Sequence, residues 1–216
     1  MASGFRREAL DEAYPAVRHV VGGTAFAELV RRYAPSVPTG LYSLTDVGSE
    51  LPRCLTTDVL TAGLPMLPDL AALEWRVLRA FHAHERAPFD PASVTHWGLD
   101  QWERARVVFQ PSVALVRSAW PILDVWELRE TPIAEIDLEV EGRPQNVLVS
   151  RNGAGVVCEP VESAEAVVME ALLESVPLGE SLERLVVASE DVADVSGWFA
   201  AWGSRGLIAE CRSDAI

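Results

Sequence analysis

The chain has 216 residues, of which 49% are hydrophobic and 23% charged, and its formal net charge is −14. This composition is typical of a soluble globular protein of one or two domains. No stretch reaches the ~18–20 consecutive apolar residues that a membrane span needs, and the first residues are charged where a secretory signal is apolar. We therefore expect a cytoplasmic protein that does not enter a membrane.

All 18 basic residues are arginine. The lack of lysine excludes Schiff-base chemistry and the lysine of phosphate-binding loops. Residues 1–130 carry 16 acidic residues and 13 arginines, net −3, whereas residues 131–216 carry 16 and 5, net −11. Because nonspecific nucleic-acid affinity comes from basic side chains on phosphates, the acidic C-terminal part favours a basic or neutral partner.

Residues 1–131 predict helices that are separated by proline and glycine. The strongest pattern covers residues 68–84, where apolar side chains recur every three or four positions up to Phe81. Further helices are predicted over residues 15–22, 24–34, 102–109 and 120–126, and hydrophobicity alternates over residues 112–118. We expect an all-helical domain over residues 1–131, with the boundary at Thr131-Pro132.

After residue 131 the hydrophobic period changes to two. Ile136, Leu138 and Val140 alternate with acidic residues, as in a strand with one face on a core. A second strand over 147–151 leads into Asn152-Gly153, which favours a tight hairpin, so a third antiparallel strand is predicted over 154–159. Helices are then predicted over 163–175, 178–188 and 191–202. The expected fold class is α+β, with three antiparallel strands followed by three helices in a second domain over residues 132–216.

Motifs of the common enzyme classes are missing from the sequence, including GxSxG, HExxH, GxGxxG and the phosphate-binding loop. His82 and His84 form the one cluster that resembles metal ligands, but residues two apart on a helix point about 200° away from each other. The three cysteines are isolated from one another, which favours free thiols. We therefore predict no catalytic residue, no metal site and no cofactor in this chain.

An extended peptide can bind to a protein by adding a strand to an exposed sheet edge. The third predicted strand is placed to form such an edge, and an apolar stripe on the last predicted helix would form the opposite wall. Nearby Glu159, Asp191 and Asp194 favour a peptide that carries lysine or arginine. Two alternatives remain open, namely a stripe that is core only and an edge covered by the helical domain. The candidate peptide-binding residues are Val156, Val157, Cys158, Glu159, Val195, Trp198, Phe199 and Trp202.

A set of segments carries a family resemblance: Tyr14-Pro15, Val20-Val21-Gly22, residues 51–55, 67–75, 79–83 and 110–118, Trp120-Pro121-Ile122-Leu123 and Trp126. In their order and spacing they resemble the HvfC/BufC family over about residues 14–207. The resemblance implies a helical domain followed by a winged-helix-like domain. It also implies a non-enzymatic partner of a multinuclear non-haem iron oxidative enzyme that modifies ribosomally made precursor peptides. The family's N-terminal helix is largely missing before Tyr14.

The resemblance further implies that the iron belongs to the partner enzyme and that this chain captures the leader of the precursor peptide as an added strand. Residues 111–126 contain one arginine and two tryptophans, and both residue types are enriched at interface hot spots. We therefore expect Arg117, Trp120 and Trp126 to dock on the enzyme in a heterodimer.

The sequence argues against two other functions. A winged-helix DNA-binding regulator is the main alternative, but the final predicted helix lacks arginines that would face phosphates. A stand-alone hydrolase or redox enzyme would need a nucleophile and base that the sequence does not bring together. The sequence thus favours a peptide-recognition subunit that binds no nucleic acid.

Overall fold

A computed structural model of the chain describes residues 2–37, 47–136, 141–153, 155–188 and 194–213. The expected mixture of helices and small antiparallel sheets is confirmed. The described helices are α1 (Ala2–Ala13), α2 (Pro15–Val21), α3 (Gly23–Tyr33), α4 (Leu51–Leu55), α5 (Leu67–His82), α6 (Leu99–Glu103), α7 (Ile122–Glu127), α8 (Ser163–Leu173), α9 (Leu178–Ala188) and α10 (Val195–Ser204). The described strands are β1 (Arg106–Phe109), β2 (Ala114–Ser118), β3 (Gln145–Asn152), β4 (Gly155–Val161) and β5 (Ile208–Arg212).

The chain forms two compact units, each built from two stretches of sequence. Unit 1 comprises Met1–Arg79 and Val116–Val147, and unit 2 comprises Ala80–Leu115 and Leu148–Ile216. The boundary predicted at residue 131 therefore falls inside unit 1, and residues 80–115 group with the C-terminal part of the chain. Strands β2 and β3 each contain a point where the chain passes from one unit to the other.

Unit 1 has a helical core. Of the apolar side chains of α5 that recur at three- and four-residue steps, Leu70 and Leu73 are buried, as the sequence predicts, and the two that follow at 77 and 78 are half-buried. The stripe ends sooner than expected, however, because Phe81 is 62% exposed. A helix, α1, does precede Tyr14. The buried core of unit 1 includes Leu10, Tyr14, Val17, Phe26, Leu29, Tyr33, Leu51, Leu55, Leu67, Leu70 and Val125.

The core of unit 2 lies among strands β1 and β5 and helices α8, α9 and α10. Helices α8 and α9 begin where predicted, and α9 also ends at the predicted residue. This core includes Val107, Phe109, Leu148, Val168, Met169, Leu172, Leu185, Trp202, Leu207 and Ile208.

The helix predicted over residues 102–109 is wrong. Helix α6 ends at Glu103, and residues 106–109 form strand β1, in which buried and half-buried side chains alternate. The β-branched pair Val107-Val108 suits a strand. Strand β5, about 100 residues further along the chain, supplies the pairing partner. Because β1 and β2 both precede residue 131, the N-terminal part is not all-helical.

The strands form two separate sheets. β1 pairs antiparallel with β5, with Arg106 opposite Arg212 and Phe109 opposite Ile208, and a bulge between Val108 and Phe109. The other sheet has the order β2-β3-β4, so β4 stands at its end among the described strands. The predicted first strand lies largely outside the described residues, since 137–140 are not among them, and the same holds for Ala154 and Asp191. Strand β5 was not predicted.

In the described parts of the chain, no helix combines the length and the hydropathy that a membrane crossing requires.

Candidate functional site

The third predicted strand is β4, which follows β3 across the Asn152-Gly153 turn. Val156, Val157, Cys158 and Glu159 are all half-buried rather than alternating between buried and exposed. Both faces of the strand are thus partly covered and partly accessible. A terminal strand with this exposure has one edge that faces away from its sheet.

The apolar stripe on α10 is divided between core and surface. Val195, Trp198 and Phe199 are half-buried and pack against the core of unit 2, whereas Trp202 has no exposed surface. The Trp202 indole Nε1 donates a hydrogen bond of 2.7 Å to Glu165 Oε1. Its ring also makes an edge contact with Phe109, with ring centroids 5.5 Å apart. Trp202 therefore belongs to the core and cannot form the wall of an open groove, which corrects the prediction for this residue.

An ion pair joins the predicted strand to the C-terminal end of α10. The guanidinium of Arg205, the residue directly after α10, pairs with the carboxylate of Glu159 on β4. Val161, near the end of β4, packs against the same apolar cluster as Trp198 and Phe199. The structure thus brings the β4 residues and the C-terminal half of α10 into one region of unit 2.

The acidic residues near this region differ in their roles from the prediction. Glu159 is paired within the chain by Arg205, which sequence analysis did not single out because charge alone does not reveal a partner 46 residues away. Asp194 caps α10, since its Oδ1 accepts hydrogen bonds from Gly197 N at 2.9 Å and Ser196 Oγ at 3.1 Å. Of the three predicted acidic residues, two therefore already have partners, and Asp191 lies outside the described residues.

The predicted docking residues lie in unit 1. Arg117 is exposed on β2, and its Nε donates a 3.3 Å hydrogen bond to Asn146 Oδ1. Trp120 follows β2 and is half-buried. Trp126 is half-buried on α7, and the Arg129 guanidinium lies 3.7 Å from its ring centroid. This stacking covers one face of the Trp126 ring and leaves Arg117 as the most accessible of the three predicted residues.

Glu74 of α5 is the most deeply buried acidic side chain among the described residues, and its role was not predicted. It is 2% exposed, and its carboxyl oxygens accept hydrogen bonds from Ala16 N at 2.7 Å and Val17 N at 3.0 Å. These donors belong to the first turn of α2, which has few backbone acceptors of its own. Burial raises the pKa of Glu74 to about 8, while the two backbone hydrogen bonds act in the opposite direction. Glu74 thus joins α5 to α2 inside unit 1.

The histidines and cysteines are the side chains on which the metal-site prediction depends. His82 and His84 are both exposed at the end of α5. Across the described ranges of the chain, no three His, Cys, Asp or Glu side chains come together as metal ligands. Cys54 and Cys158 are half-buried, and burial raises the pKa of Cys211 to about 11. At neutral pH, Cys211 is therefore a thiol rather than a nucleophilic thiolate.

No family profile matches the chain, and no curated protein is significantly similar to it. The resemblance to the HvfC/BufC family therefore stays a prediction from the sequence.

Proposed function

We propose that this chain is a non-enzymatic partner subunit that binds the leader of a ribosomally made precursor peptide. It presents that peptide to a multinuclear non-haem iron oxidative enzyme, which holds the iron and performs the modification. The observation that carries the proposal is β4, the terminal strand of the β2-β3-β4 sheet, whose residues Val156 to Glu159 are all half-buried. In this proposal β3 and β4 belong to a winged-helix-like recognition element.

The leader binds as an added strand along β4. Main-chain hydrogen bonds to the outer edge of β4 supply affinity, and side-chain pockets on alternating positions supply selectivity. Val195, Trp198 and Phe199 of α10 pack against the same apolar cluster as Val161, the last residue of β4, and supply the apolar side of the site. A basic residue of the leader would compete with Arg205 for Glu159. The preference for a basic leader therefore depends on exchanging one ion pair for another.

The enzyme docks on the surface of unit 1 that carries Arg117 and Trp120. An exposed arginine close in sequence to a half-buried tryptophan is a common composition for an interface hot spot. Trp126 contributes through the ring face that Arg129 does not cover. Separate alanine substitutions at Arg117 and Trp120 should therefore reduce co-purification with the enzyme, while an Arg53→Ala variant elsewhere on the exposed surface should not.

The leader site is tested with two proline variants. The N–H groups of consecutive strand residues point to opposite edges, so Val156→Pro and Val157→Pro remove donors from different edges of β4. One variant should destabilise the sheet. The other should stay folded and bind the leader much more weakly. Calorimetry measures this affinity, and the probe is the leader of a small cysteine-bearing peptide encoded beside this chain. Val157→Ala is the control, because it shortens the side chain and keeps the donor.

Full leader affinity in the proline variant that remains folded would place the peptide elsewhere and reject this function for β4.

A further inference from the structure

A short segment without regular secondary structure lies against the β1–β5 ribbon of unit 2. It belongs to the connection between α5 and a single 3-10 turn over Pro91–Val94. We call residues 86–89, with the sequence Arg-Ala-Pro-Phe, the strap. Arg86, Ala87 and Pro88 are exposed, and Phe89 is half-buried. The strap therefore stays on the surface except at its last residue.

Main-chain groups of the strap are bound at two points. Gln110, which follows β1 and is 8% exposed, pairs with both backbone groups of Arg86. Its Oε1 accepts from Arg86 N at 2.9 Å, and its Nε2 donates to Arg86 O at 3.1 Å. Ile208 O of β5 accepts from Phe89 N at 3.2 Å. Because these bonds involve only the main chain of the strap, they suit any peptide whose main chain follows the same path.

Two side chains of the strap add selectivity. Arg86 Nη2 lies 3.3 Å from Glu210 Oε2 on β5, and Phe89 packs against the apolar cluster that contains Phe109. A cation and an aromatic ring are thus held three residues apart. The ribbon supplies a carboxylate for the first and an apolar surface for the second.

The attachment of the strap is weak compared with that of a core element. The ion pair of Arg86 is about two-fifths exposed on both sides, and Glu210 is shared with Arg212 at 2.7 Å. Exposed pairs of this kind add little stability. Segments with few buried contacts open locally while the rest of the fold stays intact. When the strap leaves, the Gln110 amide loses both partners, and the main chain of another peptide can restore the same two hydrogen bonds.

We infer that the β1–β5 ribbon is a second peptide-binding site, which the strap occupies in the free chain. Its ligand is an extended peptide with arginine or lysine three residues before an aromatic residue, and binding displaces the strap. The inference does not rest on the β4 site, because β1 and β5 form a different sheet and contribute different residues.

The first experiment uses the full chain and a fluorescent heptapeptide with the sequence of residues 84–90, His-Glu-Arg-Ala-Pro-Phe-Asp. Phe89→Ala weakens the strap, so more of the chain is open for binding. We expect the peptide to bind this variant at least ~10-fold more tightly than the native chain in an anisotropy titration. Phe81→Ala, which removes an aromatic ring that is already exposed, should leave the affinity unchanged. Adding Gln110→Ala to Phe89→Ala should remove the gain.

The result is decided by comparison with a peptide in which alanine replaces both the arginine and the phenylalanine. Equal binding of the two peptides, equal affinity of the native chain and Phe89→Ala, or no binding to either would overturn the inference.

A second measurement needs no variant and separates this site from the proposed leader site. Hydrogen exchange of the native chain with saturating heptapeptide should become at least ~10-fold faster at the Phe89 amide, which loses its bond to Ile208 O. Amides of β4 should keep their exchange rates, and the β4 proline variant that stays folded should bind the heptapeptide normally. An unchanged rate at Phe89 would reject displacement of the strap, whatever the outcome at β4.

Discussion

Unit 1 and the β4–α10 region of unit 2 use their polar side chains differently. In unit 1, polar side chains bind backbone groups that are far away in the sequence: Glu74 binds the start of α2, Tyr14 donates to Gly48 O at 2.6 Å, and Tyr33 donates to Val47 O at 2.7 Å. Each contact fixes a chain segment against a helix. The backbone at Gly48 is so close to Tyr14 that a Cβ there would lie 2.7 Å from its ring.

In unit 2 the region around β4 and α10 is arranged differently. Two long-range side-chain contacts lie there: the hydrogen bond of Trp202 to Glu165 at the buried end of the α10 stripe, and the partly exposed ion pair of Arg205 with Glu159. Trp198 and Phe199 on the same helix stay half-buried. Unit 1 is thus held by buried polar anchors to the backbone, whereas the α10 stripe of unit 2 keeps partly accessible apolar side chains.

The largest expected effect is on the core of unit 2. Trp202→Ala should lower the free energy of unfolding by ~3–5 kcal/mol, because a fully buried aromatic side chain is replaced by a cavity. Trp198→Ala should have a clearly smaller effect, since Trp198 is half-buried. Chemical denaturation of both variants checks this difference, with Trp202→Phe as the control that keeps a ring and removes the bond to Glu165. Equal losses of unfolding free energy at Trp198 and Trp202 would show that both residues belong to the core to the same degree.

The next effect concerns the polar anchor of unit 1. Glu74→Ala leaves the buried Ala16 and Val17 N–H groups without their acceptor, and each unpaired buried group costs ~1–3 kcal/mol. Glu74→Gln keeps one acceptor oxygen and should lose less stability. Urea denaturation at pH 7 orders the two variants. A Glu74→Ala protein as stable as the native chain would show that Glu74 does not stabilise unit 1.

The same residue predicts a pH dependence. The folded pKa of Glu74, about 8, lies above its ordinary value of 4.5, so the folded state binds this proton more tightly than the unfolded chain. The contribution is complete below about pH 4.5 and is lost as the pH rises toward about 8. The free energy of unfolding should therefore fall by up to ~1.4 kcal/mol per pH unit in this window.

Glu74→Gln supplies the control for that pH dependence, because it cannot titrate. Subtracting its stability profile from the native profile cancels the other titrating groups. A native-minus-variant difference that stays constant between pH 5 and 8 would contradict the raised pKa.

The smallest expected effect is at the surface of unit 2. Glu159→Gln breaks the ion pair with Arg205, whose side chains are 33% and 36% exposed, and should change stability by only ~0–1 kcal/mol. If the pair also limits access to β4, the variant should bind a neutral leader more tightly and a basic leader more weakly. Thermal unfolding and calorimetry measure the two effects separately. A loss of several kcal/mol would make the pair a structural anchor like those of unit 1.

Much of the local structure could be predicted from the sequence. Helices α5 and α9 have strong three- and four-residue periods, and Asn152-Gly153 between two apolar runs indicates the hairpin of β3 and β4. Part of the candidate site follows from the same patterns, because Val156, Val157, Cys158 and Glu159 do lie on the strand after this turn.

What the sequence determined by itself is therefore the set of elements whose signal is local. The tertiary structure alone decided the remainder: the pairing of β1 with β5, the burial of Trp202 but not Trp198, and the partners of Glu74 and Glu159. Each of these depends on a contact between residues distant in the chain. A short apolar run such as residues 107–109 of β1 fits helix and strand equally well until a distant strand supplies its hydrogen-bond partners.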